Sequence, residues 1–168
     1  MSPDPAGAAA NDLRRCALAL IEEPDPQAKA EGARALLARR DALTIDPGAR
    51  LAPRAALPGR PPRPELQPPK RVPQRSPATP EGRAALVHAI AHIEFNAINL
   101  ALDACWRFTD LPTDYYRDWL QVAGEEALHF QLLREHLTSL GHDYGDFPAH
   151  DGLWAMTART AHDPLARM

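Results

Sequence analysis

The chain has only two cysteines, Cys16 and Cys105, among 168 residues. That is too few for a disulfide framework or a cysteine-based metal site, and it fits a reducing compartment. There is no surplus of positive charge either. Lys and Arg number 19 against 22 Asp and Glu, a formal net charge of −3, which argues against a general nucleic-acid or membrane-surface binder. Lysine itself is scarce, with Lys29 and Lys70 alone; the preference for arginine reads as coding bias rather than function. Long apolar runs are missing as well. Cys16 to Ile21 is too short for a signal-peptide core, and no stretch reads as a membrane span. The expectation is a soluble, cytoplasmic chain of about one domain with tails.

What is present is unevenly distributed. Of 18 prolines, 15 lie at or before Pro80, whereas all ten aromatic residues lie between Phe95 and Trp154. Aromatic side chains supply much of a core's buried area, so the core is expected mainly from the second half. Residues 1–45 read as an N-terminal part with two short helices, Asp12 to Glu22 and Pro26 to Leu43, separated by Glu22-Glu23-Pro24-Asp25-Pro26. Residues 46–80 form a Pro/Arg-rich segment with seven basic and two acidic residues, expected to be extended polyproline II. Pro61-Pro62-Arg63-Pro64 loosely fits a ligand for a proline-recognition domain. The favoured reading is a stiff connector that wraps the domain.

Residues 81–168 carry the strongest pattern. Thr79-Pro80-Glu81 supplies a cap, a first-turn proline and an acid that complements the helix dipole, opening a helix to about Phe108. After Thr109-Asp110-Leu111-Pro112, Thr113-Asp114 opens a second helix that runs to Leu140 and stops at Gly141. Two helices of this length joined so tightly are expected to form an antiparallel hairpin. A short helix is expected near Asp151 to Ala161. The terminal Asp163-Pro164 is a start signal without a following helix body.

Counting ~100° per residue, Val87, Ile90, Ala97, Ile98, Ala101, Cys105 and Phe108 fall within about 60° of Glu94. On the second helix Tyr115, Trp119, Val122, Phe130, Leu133, Leu137 and Leu140 gather around Glu126, with His129 one turn on. Each Glu is thus expected in the middle of an inward stripe. Glu94 precedes Phe108 by 14 residues and Glu126 follows Thr113 by 13, so a hairpin sets them at one height. Two carboxylates in an apolar layer are costly unless an arginine, a shared proton or a metal neutralises them. No arginine lies on either stripe; Arg83, Arg107, Arg117 and Arg134 sit off it. Carboxylate and imidazole donors suit iron or manganese. Glu94, Glu126 and His129 are therefore the candidate metal ligands, with pairing to arginines in an ordinary bundle as the alternative.

The remaining histidines point elsewhere. His88 and His92 project about 120° and 160° from Glu94 and are expected to meet another segment, such as the proline stretch. His136 is expected on the surface, and His150 and His162 in capping roles. Glu125 is expected in solvent and Cys105 as a small core residue.

Several stretches resemble a known family. His88-Ala-Ile-Ala-His92-Ile-Glu94, Glu125-Glu126-Ala-Leu-His129-Phe130, Tyr144-Gly-Asp-Phe-Pro-Ala-His150-Asp-Gly-Leu-Trp154, Ala161-His-Asp-Pro-Leu-Ala-Arg167 and Arg63-Pro-Glu-Leu-Gln-Pro-Pro69 are similar to the DUF455 ferritin-like proteins. That resemblance implies an all-α, ferritin-like helical bundle with a non-haem di-metal carboxylate site, related in fold to rubrerythrins and to a tRNA-modifying di-iron hydroxylase. Its cofactor would be two iron ions in a complete domain, with manganese as the alternative. Glu94, Glu126 and His129 correspond to the first ligand set. A second Glu and a second Glu-x-x-His are absent, and the chain ends where a third bundle helix is expected to begin. Only the first long-helix hairpin, a half bundle, is then present. An oxygen-dependent oxidoreductase is one expectation. A half-bundle that pairs as a homodimer, or an inactive truncated fragment, are the others.

Overall fold

The computed structural model describes residues 11–168; residues 1–10 of the expected N-terminal part lie outside the described residues. The described chain is all-α, with helices α1 (Leu13–Glu22), α2 (Pro26–Ala38), α3 (Pro80–Arg107), α4 (Thr113–Ser139), α5 (Gly152–Arg159) and α6 (Pro164–Arg167). Caps set most of the boundaries. Asp12, Asp25, Thr79 and Asp163 each accept a backbone N–H from the first turn of the helix they precede. At the end of α4, Gly141 takes φ 82°, and the N–H groups of Gly141 and His142 close on the carbonyls of Thr138 and Leu137 at 3.0 and 3.2 Å. Only glycine adopts that turn without a Cβ penalty. The second short helix stops at Ala38 rather than Leu43, and a 3-10 turn over Arg40–Ala42 follows.

Helices α3 and α4 form the antiparallel pair. The Tyr116 hydroxyl pins their turn, donating to the Phe108 carbonyl at 3.0 Å and accepting from Leu111 N–H at 3.2 Å. Helix α1 packs on α3 and α2 on α4, so four helices close one core that includes Leu13, Ile21, Ala30, Leu36, Phe95, Ile98, Leu102, Leu120 and Phe130. Most of the buried apolar residues come from the second half, as the aromatic distribution implies, and α1 and α2 close the core over them. Helices α1 and α2 contribute through Ala and Leu rather than through aromatic rings, and small residues let α2 approach closely: a Cβ on Gly124 would run into the Leu37 side chain. Contrary to the sequence expectation, helix α3 is long and apolar enough to span a membrane by length and composition; half of that stretch is buried against the rest of the protein.

Buried cations hold the outlying segments on α3. Arg14 donates to the carbonyls of Asp46, Pro47, Ala49 and Trp106 at 2.8–2.9 Å. Lys29 donates to Asn99 Oδ1 at 2.6 Å and to the Gly59 carbonyl at 2.8 Å, and burial lowers its pKa to about 7. Arg167 is bound to Asp103 at 2.6 Å with both side chains fully buried, and Arg107 caps the same carboxylate. The proline segment wraps the domain, its Gly59 N–H meeting the Ile21 carbonyl and its Gln67 N–H the Ala149 carbonyl, each at 2.8 Å.

His88 and His92 project onto the loop after α4, not onto the proline segment. Gly145 N–H donates to His88 Nε2 at 2.9 Å, which leaves the ring proton on Nδ1, a buried atom with no partner. His92 lies between the Tyr144 hydroxyl at 2.8 Å and the His150 carbonyl at 3.2 Å. Tyr144 fills the space between them and the Phe95–Phe130 contact.

Two outcomes follow for stability. Asp103→Ala strands the buried Arg167 guanidinium and is expected to cost about 3–5 kcal/mol, read as a lower denaturant midpoint; a change within ~0.5 kcal/mol contradicts the anchoring role. Burial lowers both His88 and His92 from 6.5 to about 4. Their neutral forms favour the fold fully above pH 6.5, and that contribution, of order 3 kcal/mol each, is lost as pH falls from 6.5 toward 4. Replacing both with Gln should flatten the pH-stability profile over that interval, and an unchanged slope contradicts the assignment.

Candidate metal centre

Glu94 stands midway along α3 and Glu126 and His129 along α4, and the antiparallel packing sets them side by side. Phe95 and Phe130, each one residue beyond Glu94 and His129, meet with ring centroids 5.6 Å apart, which holds the two helices in this register. His129 Nδ1 lies 3.1 Å from Glu126 Oε2 and 4.0 Å from Glu94 Oε2. One donor atom from each of the three residues lies within 4.8 Å of the other two, and this is the one group of its kind among the described residues.

The placement of the carboxylates differs from the sequence expectation. Glu94 and Glu126 are not central to the buried faces. Their side chains are 21% and 24% exposed, and that of His129 is 53% exposed. On α4 the fully buried positions are Tyr116, Leu120, Ala123, Ala127, Phe130 and Leu137, a face turned by roughly 70° from Glu126. On α3, Ile90 on the counted stripe is exposed, whereas His88, Ala91, His92 and Phe95 are buried. The cause is the pair of N-terminal helices. They cover one side of the hairpin and draw its buried faces toward themselves, leaving the cluster at the rim.

The rim position decides the electrostatics. Burial, then the hydrogen bond and charge of Glu126, raise the Glu94 carboxyl to about 7. Glu126 is lowered, first by that same hydrogen bond and also by His129. Below about pH 7 the pair therefore holds one proton, favoured on Glu94. Among the described ion pairs, neither carboxylate has an Arg or Lys partner; His129 alone faces them. Two oxygen donors and one imidazole nitrogen, with no competing cation and room toward solvent for further ligands, fit a hard or borderline divalent ion.

The other candidates fall away from this point. His88 and His92 face the Tyr144 loop, and His136 is exposed. His150 Nδ1 accepts the Gly152 N–H at 3.2 Å, and the terminal cap is supplied by Asp163, not His162. Glu125 is exposed and accepts from Gln121 at 2.7 Å. Cys105 is fully buried in the core, its thiol pushed up by burial, and no disulfide joins it to Cys16. Not evident from the sequence was the continuation of the His88–His92 row through Asn96, Asn99 and Asp103, all buried on α3. Its spacing of three and four residues was the available signal.

Comparison with known proteins places the chain in a group. A curated relative, an uncharacterized protein of Haemophilus influenzae, is 56% identical over 115 residues, which is 64% of this chain and 40% of the relative. The chain thus spans about 40% of that relative's length. No solved structure matches it. The family described as a protein of unknown function, DUF455, matches residues 22–168. With that match covering most of its length, the chain belongs to the DUF455 family.

Proposed function

We propose that the protein is a ferritin-like carboxylate metal protein whose Glu94, Glu126 and His129 hold iron, with manganese as the alternative ion. The observation that carries this reading is the convergence of two carboxylates and an imidazole with no arginine or lysine to neutralise them. An isolated like-charged pair at a half-buried site is unfavourable, and a divalent cation removes that cost more fully than a shared proton does. A complete site of this class holds two ions, and iron bound there supplies oxygen-dependent oxidation. The chain's own contribution is to hold the donors in register through the Phe95–Phe130 contact. The apolar layer beneath them keeps water from one side. The substrate lies beyond this reading, and the cytoplasm is the proposed compartment, in keeping with two cysteines that form no disulfide with one another.

Anaerobic Fe(II) or Mn(II) titration of the purified chain, read by equilibrium dialysis, tests the assignment. Glu126→Ala and His129→Ala should each lower affinity by about tenfold or more, since even outer partners of metal ligands matter by that much. Uptake equal to wild type in both variants contradicts it. The proton on Glu94 must leave before that carboxylate can ligate. Affinity is therefore expected to climb as pH rises through about 7 and then to level, with proton release detected by calorimetry in buffers of different ionisation enthalpy. An affinity constant across that interval argues against Glu94 as a ligand.

A further inference from the structure

We infer that the groove where the Val72–Pro77 stretch lies along α3 is a binding site for a small carboxylate with an apolar body, of the size of a medium-chain fatty acid. It is separate from the metal reading above. Ala85 and Ala89, which line the groove, project by helical angle about 180° and 140° from Glu94.

The first observation is the space. The groove holds a cavity of about 340 Å³, at the small end of the range that ligand sites occupy. Helix α3 presents Gly82, Ala85 and Ala89 to it, positions three and four residues apart that share one side of the helix. Their small side chains leave room that larger ones would fill. Pro73 and Pro77 line it from the crossing stretch and have no N–H to leave unpaired against an apolar ligand. Leu86, which also lines it, is still 48% exposed, so an apolar body laid against it removes water from its surface.

The second observation is Arg75, the one charged residue that lines the cavity. Its guanidinium carbon stands 5.2 Å from the Phe147 ring centroid, which holds the head group beside the apolar walls. Its Nε meets Glu81 Oε1 at 3.3 Å, in a pair whose Glu81 side chain is 65% exposed and which is therefore worth little by itself. The two terminal nitrogens make no hydrogen bond to the described residues. They form a fork that suits two carboxylate oxygens. Residues 70–83 add Lys70, Arg71 and Arg83, with Glu81 as the single acid, so this face attracts an anion.

The two observations select one ligand chemistry, an apolar body for the cavity and a carboxylate for the guanidinium. Access is cheap as well. No backbone hydrogen bond ties residues 73–75 to the rest of the described chain, so a ligand that parts this stretch slightly from α3 breaks none.

The test is a titration of the isotope-labelled chain with octanoate, followed by amide chemical shifts, beside the same titration with octan-1-ol. Octanoate is expected to move the amides of Gln74, Arg75, Ala85 and Ala89 with a dissociation constant of about 1 mM or below, and octan-1-ol, which lacks the charge, to bind about tenfold more weakly. Arg75→Gln is expected to lose that preference. Ala89→Phe, at an exposed position that lines the cavity, fills the space and is expected to abolish the shifts, with circular dichroism confirming that both variants keep their helices. Absence of shifts up to about 10 mM octanoate, shifts confined to another part of the chain, or binding unchanged in Ala89→Phe overturns the site. Equal affinity for octanoate and octan-1-ol, or an undiminished preference in Arg75→Gln, overturns its assignment to a carboxylate. None of these outcomes bears on Glu94, Glu126 or His129.

Discussion

Two neighbouring carboxyl groups that oppose each other's charge, Glu94 and Glu126, constrain the rest of this structure. They sit in neighbouring helices at one height because Phe95 and Phe130 interlock beside them and Tyr116 pins the turn at the far end of the hairpin. Bringing them together costs free energy, part of which is relieved by a shared proton and by the imidazole of His129. A fold that only needed a stable hairpin would place aliphatic residues at these positions, as it does at Ile98 and Leu102. That electrostatic cost is what supports the proposed cation site.

The two sides of the hairpin are built on different principles. One side is closed by buried polar anchors. Arg14 gathers four carbonyls, Lys29 ties α2 and the proline segment to Asn99, and Arg167 secures the C-terminal end through Asp103. The carboxyl–imidazole side has no such anchor. Its apolar residues are exposed and its charged residues lack cationic partners among the described ion pairs. Stability is concentrated on the closed side, and the proposed ligand chemistry belongs to the open one.

Much of this was legible in the sequence. The cap at Thr79, the break at Thr109–Pro112 and the stop at Gly141 announced the two long helices to within a few residues. The height match of Glu94 and Glu126 followed from counting. The buried faces did not. Helical periodicity reports which residues are apolar, not which of two apolar sides meets a neighbour, and α1 and α2 bury theirs with alanine and leucine, residues that carry no distinctive signal. The small residues Ala123, Gly124 and Ala127 looked unremarkable, yet they form the seat for α2. For the same reason Glu94 and Glu126 were read as central when they stand at the rim. The role of the buried cations was also hidden, since Arg14, Lys29 and Arg167 gain their meaning only from carbonyls and a carboxylate distant in the chain.

X-ray absorption at the iron or manganese edge of the loaded chain addresses the ligand assignment most directly. The account predicts a shell of oxygen and nitrogen donors that includes imidazole scattering, with that imidazole contribution lost in His129→Ala. A spectrum of a simply hydrated ion, or one in which His129→Ala leaves the imidazole signal intact, would contradict it.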